Sequence, residues 1–156
     1  MLENKLSLSV QYADTRLQEI VTRQKLRHWV KAALLAPAQI TLRFVDAEEG
    51  KALNRIYRGK DYATNVLTFA YNDDKGSADE DSDLTQADII LCTDVLQHEA
   101  EGQERSIESH VAHLVVHGIL HAQGYDHESD EEAEEMEHLE IEILATLGFP
   151  NPYIDL

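Results

Sequence analysis

At 156 residues, with 43% hydrophobic content, the chain is long enough for one domain with its own core, and its composition excludes an intrinsically disordered protein. The formal charge of −17 is unevenly spread: residues 1–60 hold 11 Lys/Arg against 6 Asp/Glu, and residues 61–156 hold 2 against 24. That balance counts against chain-wide, non-specific affinity for nucleic acid. It reads either as a solvated acidic surface or as a basic N-terminal part that meets an anion.

LSLSVQY (6–12) alternates with period two and predicts a strand. Leu26, Trp29, Val30, Ala33 and Leu34 then follow helical spacing, with Pro37 soon after the expected stop. ITLRFVD (40–46) alternates again, and Ala52, Leu53, Ile56 and Tyr57 suit a short helix ending at Gly59. NVLTFAY (65–71) is a third strand. The acidic, turn-rich segment 71–86 reads as a mobile surface loop, and ADIILC (87–92) as a buried strand. Thr93 or Asp94 is expected to cap one helix, Ser106 with Ser109 the next, and Ser129 or Asp130 a last one. In that last helix Met136, Leu139, Ile143 and Leu144 face the core, and Gly148 and Pro150 end it. The pattern predicts a single α+β domain over 1–156, a small mixed four-stranded sheet packed with helices. No apolar run approaches the roughly 18 residues of a membrane helix. The N-terminus lacks the pattern of a signal peptide, and the single cysteine, Cys92, suits a reducing compartment. A soluble, cytoplasmic protein is expected.

Four of the eight histidines lie within HLVVHGILHAQGYDH, residues 113–127. His117 and His121 are four apart, so a helix sets both on one face. Gly124 can adopt a left-handed conformation, end the helix and turn His127 back toward the same point. Three imidazoles with a fourth position open describe a catalytic zinc site, placed on a helix and the turn that follows it. His110 and His113 share this face, as partners of the ligands or as ordinary packed residues. The spacing matches the metzincin pattern H-E-x-x-H-x-x-G-x-x-H, in which the glutamate is the peptidase's general base. Gly118 stands at that position, so the cradle is kept and the base is missing.

A second cluster, Arg55, Arg58 and Lys60, falls at a predicted helix end, with Thr64 and Asn65 adding neutral donors. Arginine grips phosphate through two parallel hydrogen bonds, although such clusters are commonly just solvated loops.

Together these stretches resemble the YbeY family of bacterial rRNA maturation factors. HGILHAQGYDH (117–127) resembles the family signature H-G-x-L-H-x-x-G-Y-D-H, YRGKDYATNVLTF (57–69) a second block, ADIILC a third, and residues 130–153 the C-terminal helix and tail. Ala87 departs from it, standing where the family usually carries glycine. The resemblance implies a metal-dependent endoribonuclease with one zinc held by His117, His121 and His127, and Arg58 as the functional arginine. Arg55, Lys60 and Asn65 are then candidate substrate contacts. It also implies single-stranded RNA near the 3′ end of small-subunit rRNA as substrate, a role in ribosome quality control, and a small-subunit ribosomal protein and an Era-like GTPase as partners. Two other readings stand beside it: a metallopeptidase whose base comes from Asp126, Glu128 or another carboxylate, and a non-catalytic ribosome assembly factor with structural zinc.

Overall fold

A computed structural model describes residues 5–71, 84–125 and 129–153. Most of the expected acidic loop, and His127 with its neighbours Asp126 and Glu128, lie outside the described residues. In chain order the elements are β1 (Leu6–Tyr12), α1 (Arg23–Ala33), β2 (Ala38–Val45), α2 (Ala47–Arg58), β3 (Val66–Ala70), β4 (Thr85–Cys92), α3 (Thr93–Gly102), α4 (Ile107–Ala122) and α5 (Asp130–Thr146).

The sheet runs β1-β2-β4-β3. β1, β2 and β4 are parallel, and β3 closes one edge antiparallel to β4. Period-two alternation divides the strands between two faces. The register aligns Val10, Leu42, Ile89 and Thr68 across one face. That face carries Ile40, Leu42, Phe44, Ala87, Ile89 and Leu91, which join the buried residues of α1 and α4 in one core. On the other face Ser7, Ser9, Gln11, Gln39 and Gln86 stay exposed near β1, and α2 lies over the region nearer β3.

Helix ends follow local chemistry. Thr22 caps α1 by accepting from the Lys25 amide, and Ser106 caps α4 by accepting from the Ser109 amide. Ser129 and Glu132 form a reciprocal capping box at the start of α5. The α3 cap differs from expectation. Its N-cap is Cys92, without a side-chain bond, because the Asp94 carboxylate accepts from the Ala47 amide (2.6 Å) and from Arg16 (2.8 Å) instead. It thereby ties α3 to the start of α2.

The expected short helix ending at Gly59 is α2, whose C-cap Gly59 takes φ 70°. The helix docks tightly through Gly50, where an added Cβ would sit 3.2 Å from Cys92 Sγ, and through buried Asn54, whose amide donates to the Tyr62 carbonyl (2.8 Å). Its other flank faces outward, so Ile56 and Tyr57 remain 70% and 63% exposed.

Candidate functional site

The first two histidines of the motif, His117 and His121, lie on the C-terminal half of α4. Gly118 presses this helix onto the sheet: an added Cβ would lie 3.3 Å from Ile89 Cδ1 and 3.4 Å from Thr68 Oγ1. The glycine therefore answers a packing demand between α4 and β3–β4: any larger side chain needs Ile89 and Thr68 to give way. At the helix end Gly124 takes φ 104°, as its position after the motif predicts. The Gln123 side chain locks this turn to α1, donating to the Ala33 carbonyl (2.8 Å) and accepting from the Leu35 amide (2.7 Å).

The four histidines along α4 are held in three different ways, and the difference sorts their roles. His110 uses both ring nitrogens: Nε2 meets Glu99 at 2.9 Å and Nδ1 meets Arg105 at 3.4 Å. Burial lowers its pKa, opposed by the Glu99 hydrogen bond. His113 turns Nε2 to Glu140 (2.9 Å) and buries Nδ1. His117 and His121 are reversed. Nδ1 of His117 meets Glu140 Oε2 at 2.6 Å, and Nδ1 of His121 meets the Tyr125 carbonyl at 3.0 Å. Both partners are acceptors, so Nδ1 must donate, and in the neutral rings Nε2 carries the lone pair. Their rings lie nearly parallel, 6° apart in plane with centroids separated by 6.4 Å.

Sequence reasoning missed Glu140. It lies on α5 with 0% exposure and accepts from His113, His117 and the Tyr153 hydroxyl. Burial pushes its pKa up, but the hydrogen bonds from those three residues outweigh that and hold it at about 2. Burial, together with the bond to Glu140, raises the Tyr153 phenol well above its ordinary value. A carboxylate bonded to Nδ1 of a histidine whose Nε2 is basic is the usual support of a metal-ligating imidazole, because it fixes tautomer and ring direction. The donor set thus fits zinc, with His117 and His121 as the two described members. Among the described residues no group of three or more candidate side chains gathers on one point.

The cation cluster lies elsewhere. Arg58 is the last residue of α2, Arg55 is one turn earlier, and Lys60 follows Gly59, whose φ is 70°. All three are exposed, and no hydrogen bond or ion pair among the described residues engages the guanidinium of Arg55 or Arg58. The structure does not bring them into hydrogen-bonding contact with the histidines. Asn65 is tied into the fold: it donates to Glu99 (3.1 Å) and accepts from the Val66 amide (2.7 Å).

A mixed α+β sheet crossed by a histidine-bearing helix, with a buried carboxylate behind it, defines the structural class. The chain belongs to the endoribonuclease YbeY family, whose sequence model matches residues 3–148. It is 80% identical over 154 residues to the endoribonuclease YbeY of Janthinobacterium sp. (strain Marseille), covering 99% of this chain and 98% of that one. It is 77% identical to the protein of the same name from Herminiimonas arsenicoxydans, over 99% of both chains. Among solved structures it is similar to the solution structure of TM1509 from Thermotoga maritima, at TM-score 0.55 and 27% identity, covering 92% of this chain and 91% of that one. No helix among the described residues is long and apolar enough to cross a membrane.

Proposed function

We propose that the chain is a zinc-dependent endoribonuclease that cleaves single-stranded RNA. In this reading it acts in the cytoplasm, on the 3′ end of small-subunit rRNA and in ribosome quality control, with a small-subunit ribosomal protein and an Era-like GTPase as partners. Family membership supports the hydrolysis of RNA phosphodiesters. The observation that carries the metal is the matched orientation of His117 and His121, each donating through Nδ1 to a fixed acceptor.

His117, His121 and His127 would hold the ion. Bound there, zinc supplies Lewis acidity and makes water acidic near neutral pH, with a pKa of about 7. Glu140 keeps His117 in the ligating tautomer. Arg58 orients the phosphodiester and offsets charge developing on its oxygens. The peptidase reading lacks the glutamate of the metzincin pattern at Gly118, which packs closely on Ile89 and Thr68, and would need its base from Asp126, Glu128 or another carboxylate.

Arg58→Ala should therefore keep the fold and the zinc while lowering single-strand RNA cleavage by about an order of magnitude or more. Arg58→Lys should recover only part of it, since the charge remains but the two-pronged geometry is lost. Cleavage by Arg58→Ala at the wild-type rate, with zinc intact, would remove Arg58 from the mechanism. Absence of cleavage by the zinc-loaded wild type would favour a non-catalytic assembly factor.

A further inference from the structure

We infer that the cavity between α2 and the outer face of the sheet is a nucleobase subsite, which takes one unpaired base of the RNA substrate proposed above. The cavity has a volume of about 280 Å³ and is lined by Arg43, Glu49, Leu53, Tyr57, Phe69, Tyr71, Asp88 and Ile90. That is near the lower end of the roughly 300–1,000 Å³ span of ligand pockets, a size for a single ring system.

Its walls are aromatic and already oriented. Tyr57 and Phe69 meet edge to face, with centroids 5.1 Å apart. The Tyr71 hydroxyl donates to Asp88 at 2.5 Å, which fixes that ring. Tyr57 and Tyr71 nevertheless stay 63% and 57% exposed. They extend the apolar flank of α2 that the core leaves uncovered, the flank that also bears Ile56. Large rings held in place yet open to solvent are platforms on which unpaired bases stack, whatever their sequence.

Charge selects the part of the RNA that enters. Asp88 and the Arg43–Glu49 pair, joined at 2.8 Å, put carboxylates into the cavity, and these repel phosphate while accepting from base N–H groups. The cations that attract phosphate stand outside it, at the end of the same helix: Arg55, Arg58 and Lys60. A base inside with its backbone along the helix end satisfies both. Beyond residue 60 the chain holds 2 Lys/Arg against 24 Asp/Glu, so few other cations compete for the phosphates.

The test measures binding by metal-free full-length protein, so it is independent of cleavage. A labelled short adenosine oligoribonucleotide is compared by fluorescence anisotropy with an abasic ribose-phosphate chain of equal length. Wild type should prefer the base-bearing chain about tenfold. Tyr57→Leu and Tyr71→Leu should close most of that gap, whereas Tyr57→Phe, which keeps the ring, should retain it. Lys60→Ala should weaken both chains alike, more so at low salt. In unsubstituted protein, the fluorescence of an adenine analogue carried on the abasic chain should fall on binding. Wild-type affinity for RNA with an unchanged gap in both Leu variants would overturn the subsite alone and leave the patch to a protein partner. An analogue signal unaltered on binding would also overturn it. Wild type that binds neither chain would overturn the RNA reading, and the subsite with it.

Discussion

Glu140→Ala should lower zinc affinity about 10–100-fold, the usual cost of losing the group that orients a ligating histidine. It should also destabilise the fold by about 3–5 kcal/mol, the scale for removing one partner of a buried charged network. Three donors converge on this carboxylate from α4 and the C-terminal segment: His113 and His117, and Tyr153. Without it, His113 and His117 lose their shared carboxylate and the Tyr153 hydroxyl loses its acceptor. Glu140→Gln separates the two effects. It keeps the volume, but its amide offers one oxygen where the carboxylate offers two, and His113 and His117 bond different oxygens. If the amide nitrogen faces His117, Nδ1 must become an acceptor and the proton moves to Nε2, which removes the ligating lone pair. Glu140→Gln should therefore lose much of the zinc affinity with a smaller loss of stability. Competition with a chelating dye and urea unfolding of the metal-free protein check this. Wild-type zinc affinity in both variants would detach Glu140 from the metal.

Gly118→Glu should unfold the protein more easily by about 3 kcal/mol or more, without creating a peptidase. The Cβ alone would meet Ile89 and Thr68 at 3.3–3.4 Å, and Ile89 is fully buried in a strand. A carboxylate beyond that Cβ would have to displace β3 and β4 or lose its hydration. Gly118→Ala measures the steric part. Helix propensity favours alanine by up to about 1 kcal/mol, and overpacking costs about 1–3 kcal/mol, so a mild net loss is expected. Thermal unfolding of the two variants checks the order. A Gly118→Glu protein as stable as wild type would refute the packing account of this glycine.

Much of the fold is legible because it rests on short-range rules. Period-two runs give β1 and β2, short apolar runs give β3 and β4, and the spacing of Leu26, Trp29, Val30 and Ala33 gives α1. Ser106 with Ser109, and Ser129, mark the starts of α4 and α5. Gly124 reads correctly because a helix that stops within a His-rich motif needs a residue tolerant of positive φ. The errors arise where a long-range partner decides. Asp94 looks like a cap, but its carboxylate goes to Arg16 and Ala47, remote in sequence. The helix α2 is legible but its docking flank is not: the sheet region beneath it carries Arg43 and Asp88, and it docks through Gly50 and Asn54.

Glu140 was findable. Met136, Glu140 and Leu144 succeed one another at intervals of four, and all three are buried. A carboxylate in line with an apolar stripe needs a buried partner, and a chain with a histidine-rich helix offers an obvious one. His110 and His113 show the opposite limit. Spacing puts them on the face of His117, yet only the ring orientations imposed by Glu99, Arg105 and Glu140 separate them from the proposed ligands.

The central claim is that α4 carries the zinc on which RNA cleavage depends. Its most direct test is a titration of metal-stripped wild-type protein with zinc, following cleavage of a labelled single-stranded RNA and bound zinc in the same samples. The expected result is no cleavage at zero occupancy and a rate that rises in proportion to bound metal, reaching its plateau at one zinc per chain. Full cleavage by protein shown to be free of metal would contradict the account.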